Sequence, residues 1–191
     1  MHNDLGVLMK ARGDFPAALA HYEAMLATDP QGEALAGLCH NLGGIHYSLG
    51  APEVAVGWAR RGIEVRSVLG DGPELTLDLA ALAPILITLG EYDEARAVLD
   101  EVLAKHLARY GPIHHEVAVA RHNLGGLLAR QGLWAQAYAE IQLALAIKEA
   151  VFGPSHPQLV STLRNLAVVA AELGDESAAR AAATRADTIV T

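Results

Sequence analysis

Hydrophobic and polar positions along the chain alternate in a pattern that predicts pairs of helices. In the stretch EYDEARAVLDEVLAKHLARY, the apolar residues Ala95, Leu99, Val102 and Leu103 recur at the spacing of one helical face. A second apolar stripe precedes this stretch, and a glycine separates the two. The pattern therefore predicts two amphipathic helices, A and B, which are joined by a tight turn and cannot bury their apolar faces alone.

The chain contains five copies of this helical pair. Each A helix ends at a turn glycine. A leucine stands eight residues before this glycine and is followed by a small residue, and an alanine stands five residues after the glycine. The glycines are Gly13, Gly50, Gly90, Gly132 and Gly174, the leucines Leu5, Leu42, Leu82, Leu124 and Leu166, the small residues Gly6, Gly43, Ala83, Gly125 and Ala167, and the alanines Ala18, Ala55, Ala95, Ala137 and Ala179. Glycine can take the left-handed conformation that ends a helix, and small residues let two helices approach closely. Stacked pairs then bury a continuous core.

The predicted fold is all-α, an α-solenoid of five antiparallel helix-turn-helix repeats in a right-handed superhelix. One domain is expected over residues 1–191, with repeats at approximately 1–30, 31–70, 71–111, 112–153 and 154–191. The predicted A helices are 2–12, 32–49, 73–89, 113–131 and 156–173, and the predicted B helices are 15–28, 52–69, 92–109, 134–151 and 176–190.

Composition narrows the class of protein. Hydrophobic residues make up 52% of the 191 residues, which excludes a disordered chain, and the formal net charge of −8 argues against nucleic acid or an anionic membrane as a partner. Cys39 is the single cysteine and falls on an apolar stripe, where a buried structural role is expected. Without a signal peptide or an apolar run long enough to span a bilayer, the protein is expected in the cytoplasm.

At this point the chain resembles the tetratricopeptide repeat family. The resemblance rests on the leucine–small pair, the turn glycine, the helix B alanine and the Asp29–Pro30 pair that closes repeat one. The linkers YGPIHHEVA from Tyr110 and FGPSHPQLV from Phe152 are similar to those of the 42-residue repeats of kinesin light chains. The resemblance implies a helical solenoid that binds proteins, and that subgroup binds extended peptides in an asparagine-lined groove.

Three asparagines are the leading candidates for a binding site. Asn41, Asn123 and Asn165 each stand just before the repeat leucine, so they lie beside the core stripe and are expected to line the concave groove. A carboxamide donates and accepts hydrogen bonds, and can therefore pair with the backbone of an extended peptide. The alternative is that these side chains brace neighbouring A helices, and the two roles remain open.

Other polar residues are expected in the same groove. They are His40, His122 and Arg164, each next to an asparagine, with Tyr47, Arg130 and Arg121 nearby. Because carboxylates are sparse in this set, the groove is expected to prefer a ligand with acidic character, the alternative being ordinary solvated surface. Repeat three breaks the series, with Ala81 in place of asparagine and Pro84 three residues later.

No pattern of catalytic or metal-binding residues emerges. The nine histidines lack metal-ligand spacing and His114 and His156 belong to the repeated linker, so no metal, cofactor or enzymatic activity is predicted. The predicted function is a protein-interaction scaffold that binds an extended peptide or a partner helix in the concave groove. The alternative is a regulatory module in which a peptide or small molecule changes the curvature of the solenoid.

The ends of the array suggest two further expectations. Solenoids need polar caps, and both terminal repeats here lack one. The chain is therefore expected either to be a fragment of a longer protein, which is favoured, or to form a homodimer through a terminal repeat.

Overall fold

The computed structural model describes residues 2–190, and the side chains of 4–190, as an all-α protein. Ten α-helices and no strands occur in that range. The helices are α1 (His2–Ala11), α2 (Phe15–Leu26), α3 (Gly32–Ser48), α4 (Pro52–Leu69), α5 (Pro73–Leu89), α6 (Tyr92–Tyr110), α7 (His115–Arg130), α8 (Trp134–Phe152), α9 (Val160–Glu172) and α10 (Glu176–Val190). The predicted helices are confirmed to within two residues, except that α9 starts later, after a short 3-10 turn at Pro157–Leu159. No helix of this part of the chain is both long and apolar enough to cross a membrane.

The chain forms two compact units. The first unit ends at Glu91 and contains α1 to α5, and the second begins at Tyr92 and contains α6 to α10. Within each unit, every helix packs against the next one along the chain. The two helices predicted as repeat three, α5 and α6, therefore fall into different units.

The turn glycines have the conformation that the repeat predicts. All five have positive φ, between 73° at Gly132 and 80° at Gly174. An L-residue with a side chain rarely takes this conformation, so glycine is required where each A helix reverses into its B helix.

The small residues after the repeat leucines mark the closest approach of the helices. A Cβ atom on Gly6 would lie 2.4 Å from the Tyr22 ring, and one on Gly125 would lie 2.5 Å from Cγ1 of Ile141. Tyr22 and Ile141 are fully buried. Large side chains on the B helix thus fill the space that the glycines leave, which confirms the predicted close packing.

Each unit has its own buried apolar core. In the first unit Ala18 and Tyr22 pack with Leu38, Leu42 and Ile45. In the second unit the large fully buried side chains include Val102, Leu127, Ile141, Leu159 and Leu163, and Ala186 of α10 is fully buried as well. Cys39 is also fully buried, and burial raises the pKa of its thiol, as expected for a structural cysteine.

The two histidines of the repeated linker cap helices. Nδ1 of His114 accepts a hydrogen bond from the amide of Glu116 at 3.2 Å, and Nδ1 of His156 accepts one from the amide of Gln158, also at 3.2 Å. His114 stacks on Tyr110, with ring centroids 4.1 Å apart. The Gly-Pro-x-His sequence is therefore a helix-start motif, because its histidine satisfies an amide that the helix leaves unpaired.

Candidate functional site

The candidate residues of the first unit lie on α3 and face α5. Nδ1 of His40 lies 2.8 Å from Oδ1 of Asp78, and the hydroxyl of Tyr47 lies 3.0 Å from Oγ1 of Thr88. Asn41 is half-buried and borders, with His40, a shallow pocket of about 210 Å³. Two of the residues predicted to line a groove, His40 and Tyr47, thus contact α5.

A buried ionic cluster underlies this part of α3. Arg66 on α4 donates from Nε to Oδ2 of Asp78 at 2.6 Å and from Nη1 to Glu33 at 2.5 Å. Arg66 and Asp78 are only 7% and 5% exposed. Burial works to lower the pKa of Arg66, but the hydrogen bonds and charges of Asp78 and Glu33 outweigh it and raise that pKa above its ordinary value.

The expectation of few carboxylates is wrong in the first unit. Asp78 and Glu74, both from α5, line the shallow pocket beside His40 and Asn41. That expectation was based on residues in the same A helix as each asparagine. These carboxylates instead come from the next A helix along the chain. Arg66 lines the same pocket, so its lining contains charged side chains of both signs.

The candidate residues of the second unit join a chain of hydrogen bonds across α8, α9 and α7. Nζ of Lys148 donates to Oγ1 of Thr162 at 2.8 Å and to the carbonyl of Gln158 at 3.2 Å. Oγ1 of Thr162 lies 3.2 Å from Nδ1 of His122, whose Nε2 lies 3.3 Å from the carboxamide nitrogen of Asn165. With that nitrogen donating to Nε2, the ring proton lies on Nδ1 and points at the threonine oxygen.

Burial sets the protonation of this chain. Lys148 is 4% exposed and Thr162 is fully buried. Burial, and secondarily the charge of Lys148, lowers the pKa of His122 to about 4. Burial also lowers the pKa of Lys148 itself. His122 is therefore neutral at physiological pH, and Asn165 is held by a neutral imidazole.

Two pockets meet at Asn165. One, of about 380 Å³, is lined by Arg130, Trp134 and Val168, with further apolar residues of α7 to α9. The other, of about 680 Å³, is lined by His122 and Arg164, together with Ser161 and the linker around His156. Among the residues that the structure describes, no carboxylate lines either pocket. The lining of both pockets therefore consists of apolar, neutral polar and basic side chains.

The structure does not bring all the predicted residues together. Asn165, His122, Arg164 and Arg130 border the paired pockets, whereas Asn123 is half-buried on α7 and lines neither of them. His40, Asn41 and Tyr47 belong to the first unit. Arg121, which the sequence placed near the groove, instead pairs with Glu140 of α8 at 2.7 Å.

The sequence did not predict the two buried basic residues that contact Asp78 in the first unit and Thr162 in the second. Arg66 and Lys148 each stand sixteen residues after a turn glycine, Gly50 and Gly132. A basic residue at a fixed register on a helix that packs against the next repeat is a signal that the sequence does carry. The described residues contain no group of three His, Cys, Asp or Glu side chains able to hold a metal ion.

The fold defines a helical repeat protein of the solenoid class. Models of the tetratricopeptide repeat family match residues 2–24, 35–74, 79–116 and 116–186, and the chain belongs to that family. No curated protein matches the sequence significantly.

Solved structures of three repeat proteins are similar to the chain. BtubC (BKLC) from P. vanneervenii is 25% identical with a TM-score of 0.80, over 97% of this chain and 76% of that one. Kinesin light chain repeats from Podosopora anserina are 17% identical with a TM-score of 0.77, over 98% and 92%. A Rap protein complexed with Competence and Sporulation Factor is 18% identical with a TM-score of 0.84, over 98% of this chain and 52% of that one. Family and fold together make the protein an interaction scaffold whose partners are proteins or peptides.

Proposed function

We propose that this protein binds an extended peptide along the A helices, with Asn165 as its principal contact to the peptide backbone. The position of Asn165 between two pockets supports this most directly. Its carboxamide nitrogen is held by His122, which leaves the carbonyl oxygen and one N–H for a ligand. An extended backbone presents one donor and one acceptor per residue, which is the complement of such a carboxamide.

The two pockets would receive side chains on either side of that backbone contact. Trp134 and Val168 give the smaller pocket apolar walls, and Arg164 gives the larger one a positive charge. Val168 is 60% exposed, an unusual exposure for a large apolar side chain that a ligand would cover. The proposal therefore includes an apolar and a polar ligand side chain near Asn165. Asn41 and Asn123 are proposed as further backbone contacts, and a partner helix is the alternative ligand shape.

A regulatory sensor is the second candidate function. The Rap structure supports it, because that protein has a similar fold and was solved with Competence and Sporulation Factor bound. In a sensor, ligand binding in the same groove would change the curvature of the solenoid, whereas in a scaffold the shape would stay constant. Small-angle scattering with and without a bound peptide separates the two, since only a sensor changes its radius of gyration on saturation.

The peptide proposal is tested by selection from a displayed library of unstructured peptides. Wild type and the triple variant Asn41→Ala, Asn123→Ala, Asn165→Ala are compared. Gln142→Ala serves as the matched control, because it removes a carboxamide from an exposed position of α8 that lines neither pocket. Circular dichroism first establishes equal helicity and melting temperature.

We expect peptides that bind wild type and the Gln142 variant and lose at least tenfold in affinity on the triple variant. Equal binding to all three proteins would move the site away from the asparagines and leave them with the bracing role.

A further inference from the structure

The first helix exposes an apolar position that every other repeat buries. Leu8 stands five residues before the turn glycine of repeat one and is 44% exposed. The residues at the same position of the other four A helices are at most 2% exposed, and they are Ile45, Ile85, Leu127 and Val169. The exposure of Leu8 therefore distinguishes α1 from the other A helices.

In the first unit, the B helix of the preceding repeat helps to cover this position. Ile45 of α3 belongs to one buried cluster with Ala18 and Tyr22 of α2, the B helix before it. No described helix comes before α1, which packs only against α2 and α3 among the described elements. Covering an exposed leucine removes apolar surface from water, which is favourable. The face of α1 around Leu8 is therefore a candidate docking surface.

Charged residues flank Leu8 symmetrically on this face of α1. Asp4 lies one turn before it and Arg12 lies one turn after it, and both are exposed. The amide of Arg12 still donates to the carbonyl of Leu8 at 3.2 Å, so the three residues follow one stripe of the helix. Two such stripes that run antiparallel place leucine against leucine and each aspartate against the arginine of the other. The face is therefore complementary in charge to a second copy of itself.

The last helix does not offer a matching apolar surface. Thirteen residues after the turn glycine, α10 has the exposed Asp187, and nine residues after it the exposed Ala183. The first position is apolar in every other B helix, where it holds Leu26, Ile63, Leu103 and Leu145. At the second, Leu99 and Ile141 are buried. Among the described residues of α10, only Val190 in the last turn is a large exposed apolar side chain.

A polar outer face of this kind caps a solenoid. The expectation that both terminal repeats lack a polar cap is therefore wrong for α10. The polar face also disfavours head-to-tail stacking, in which α1 of one copy would pack on α10 of the next.

We propose that two copies of this chain associate through α1, about a two-fold axis that passes near Leu8. Leu8 of each copy packs against Leu8 of the other, and the neighbouring exposed Val7 extends the apolar contact. Asp4 of each copy pairs with Arg12 of the other. Because both copies use the same surface, the assembly closes at two copies. Peptide binding at Asn165 is a separate property, since that residue lies in the second unit.

Sedimentation equilibrium of the full 191-residue chain tests the proposal. One ten-residue helix from each copy gives a small interface, so we expect a transient dimer with a dissociation constant on the order of 100 µM. Leu8→Gln should weaken dimerisation at least about tenfold, because it removes the central apolar contact from both copies. Leu143→Gln changes an exposed leucine of α8 in the same way and should leave dimerisation unchanged. A wild-type chain that stays monomeric at about ten times that dissociation constant would overturn the proposal.

Charge reversal tests the two-fold geometry. Asp4→Arg and Arg12→Asp each place like charges together at both ends of the contact, and each should weaken dimerisation at least about threefold. The double variant exchanges the two charges and should dimerise like wild type. An equimolar mixture of the two single variants should form a heterodimer, since every arginine then faces an aspartate. Asp187→Arg on α10 is the control and should have no effect.

The outcomes decide between the surfaces. Circular dichroism first establishes that each variant has the helicity of wild type. Should Leu8→Gln lose helicity, the charge variants decide alone, because they change exposed positions. Dimerisation that survives both single charge reversals would place the interface on another surface and overturn the proposal. Species larger than a dimer that Asp187→Arg weakens would indicate head-to-tail stacking and would overturn it as well.

Discussion

The two adjacent glycines of α7 should respond to alanine in opposite directions. Gly125 faces α8, and a Cβ atom there would lie 2.5 Å from Cγ1 of Ile141 and 3.3 Å from the backbone oxygen of Ala137. Gly126, one residue later in the same helix, has nothing within 4 Å of the corresponding Cβ position. The pair therefore separates the cost of steric overlap from the general effect of alanine in a helix.

The magnitudes follow from the geometry. Carbon atoms in favourable contact are about 3.5–4.0 Å apart, so Gly125→Ala requires a displacement of about 1 Å in a fully buried neighbour. Overpacking of this kind costs about 1–3 kcal/mol, against about 1 kcal/mol gained when alanine replaces glycine in a helix. We expect Gly125→Ala to lose up to about 2 kcal/mol in free energy of unfolding and Gly126→Ala to gain up to about 1 kcal/mol.

Urea unfolding followed by circular dichroism at 222 nm measures both variants, with unchanged m-values as the condition for comparison. A double variant with Ile141→Ala tests the assigned cause, because truncating Ile141 removes the clashing atom. The two substitutions should then be non-additive, the double variant being more stable than the sum of the single effects. Equal stability changes at Gly125 and Gly126, or strict additivity with Ile141, would refute the proposed packing.

Three further predictions follow from the polar clusters and the linker. Burial lowers the pKa of His122 in the folded protein to about 4, from its ordinary value of 6.5. Between pH 4 and 6.5 the unfolded chain therefore binds a proton at His122 that the folded protein does not. The stability that is present above pH 6.5 is lost as the pH falls to 4. The loss is at most about 3 kcal/mol, and His122→Gln should flatten that part of a urea-unfolding pH profile relative to wild type. Asp78→Ala leaves Arg66 buried with only the exposed Glu33 as partner and should cost about 3 kcal/mol, with Arg66→Met restoring much of it in the double variant. His156→Ala removes a helix cap and should cost about 1 kcal/mol, read as a lower melting temperature.

The parts of the fold that could be predicted from the sequence are those fixed by constraints within one repeat. A left-handed turn requires glycine, as at Gly132, and close helix contact requires a small residue, as at Gly125. Each constraint acts over a few residues and recurs five times, so the sequence shows it without reference to the rest of the chain. Helix positions followed from these landmarks to within two residues, except at the start of α9.

The site was harder to predict because its contacts join different repeats. Asp78 is 38 residues from His40, and no local pattern pairs a histidine of one A helix with a carboxylate of the next. The presence of Asp78 and Glu74 beside Asn41 therefore could not be predicted from the sequence of α3 alone. Lys148 lies on a B helix, α8, outside the polar stripe of the A helices that predicted the groove.

Comparing equivalent positions in different repeats identifies part of the site that local sequence patterns do not show. Positions that are the same in every repeat, such as the turn glycines, are sufficiently explained by the architecture. A position at which the register is kept but the chemistry changes needs a different explanation. Thr162 is such a position, since its counterpart Asp78 completes an ionic cluster whose other two members are retained in kind. Architecture alone would favour a carboxylate there, because it would compensate Lys148. Lys148 instead donates to the hydroxyl of Thr162 and to the carbonyl of Gln158, so the buried basic residue of the second unit has neutral partners.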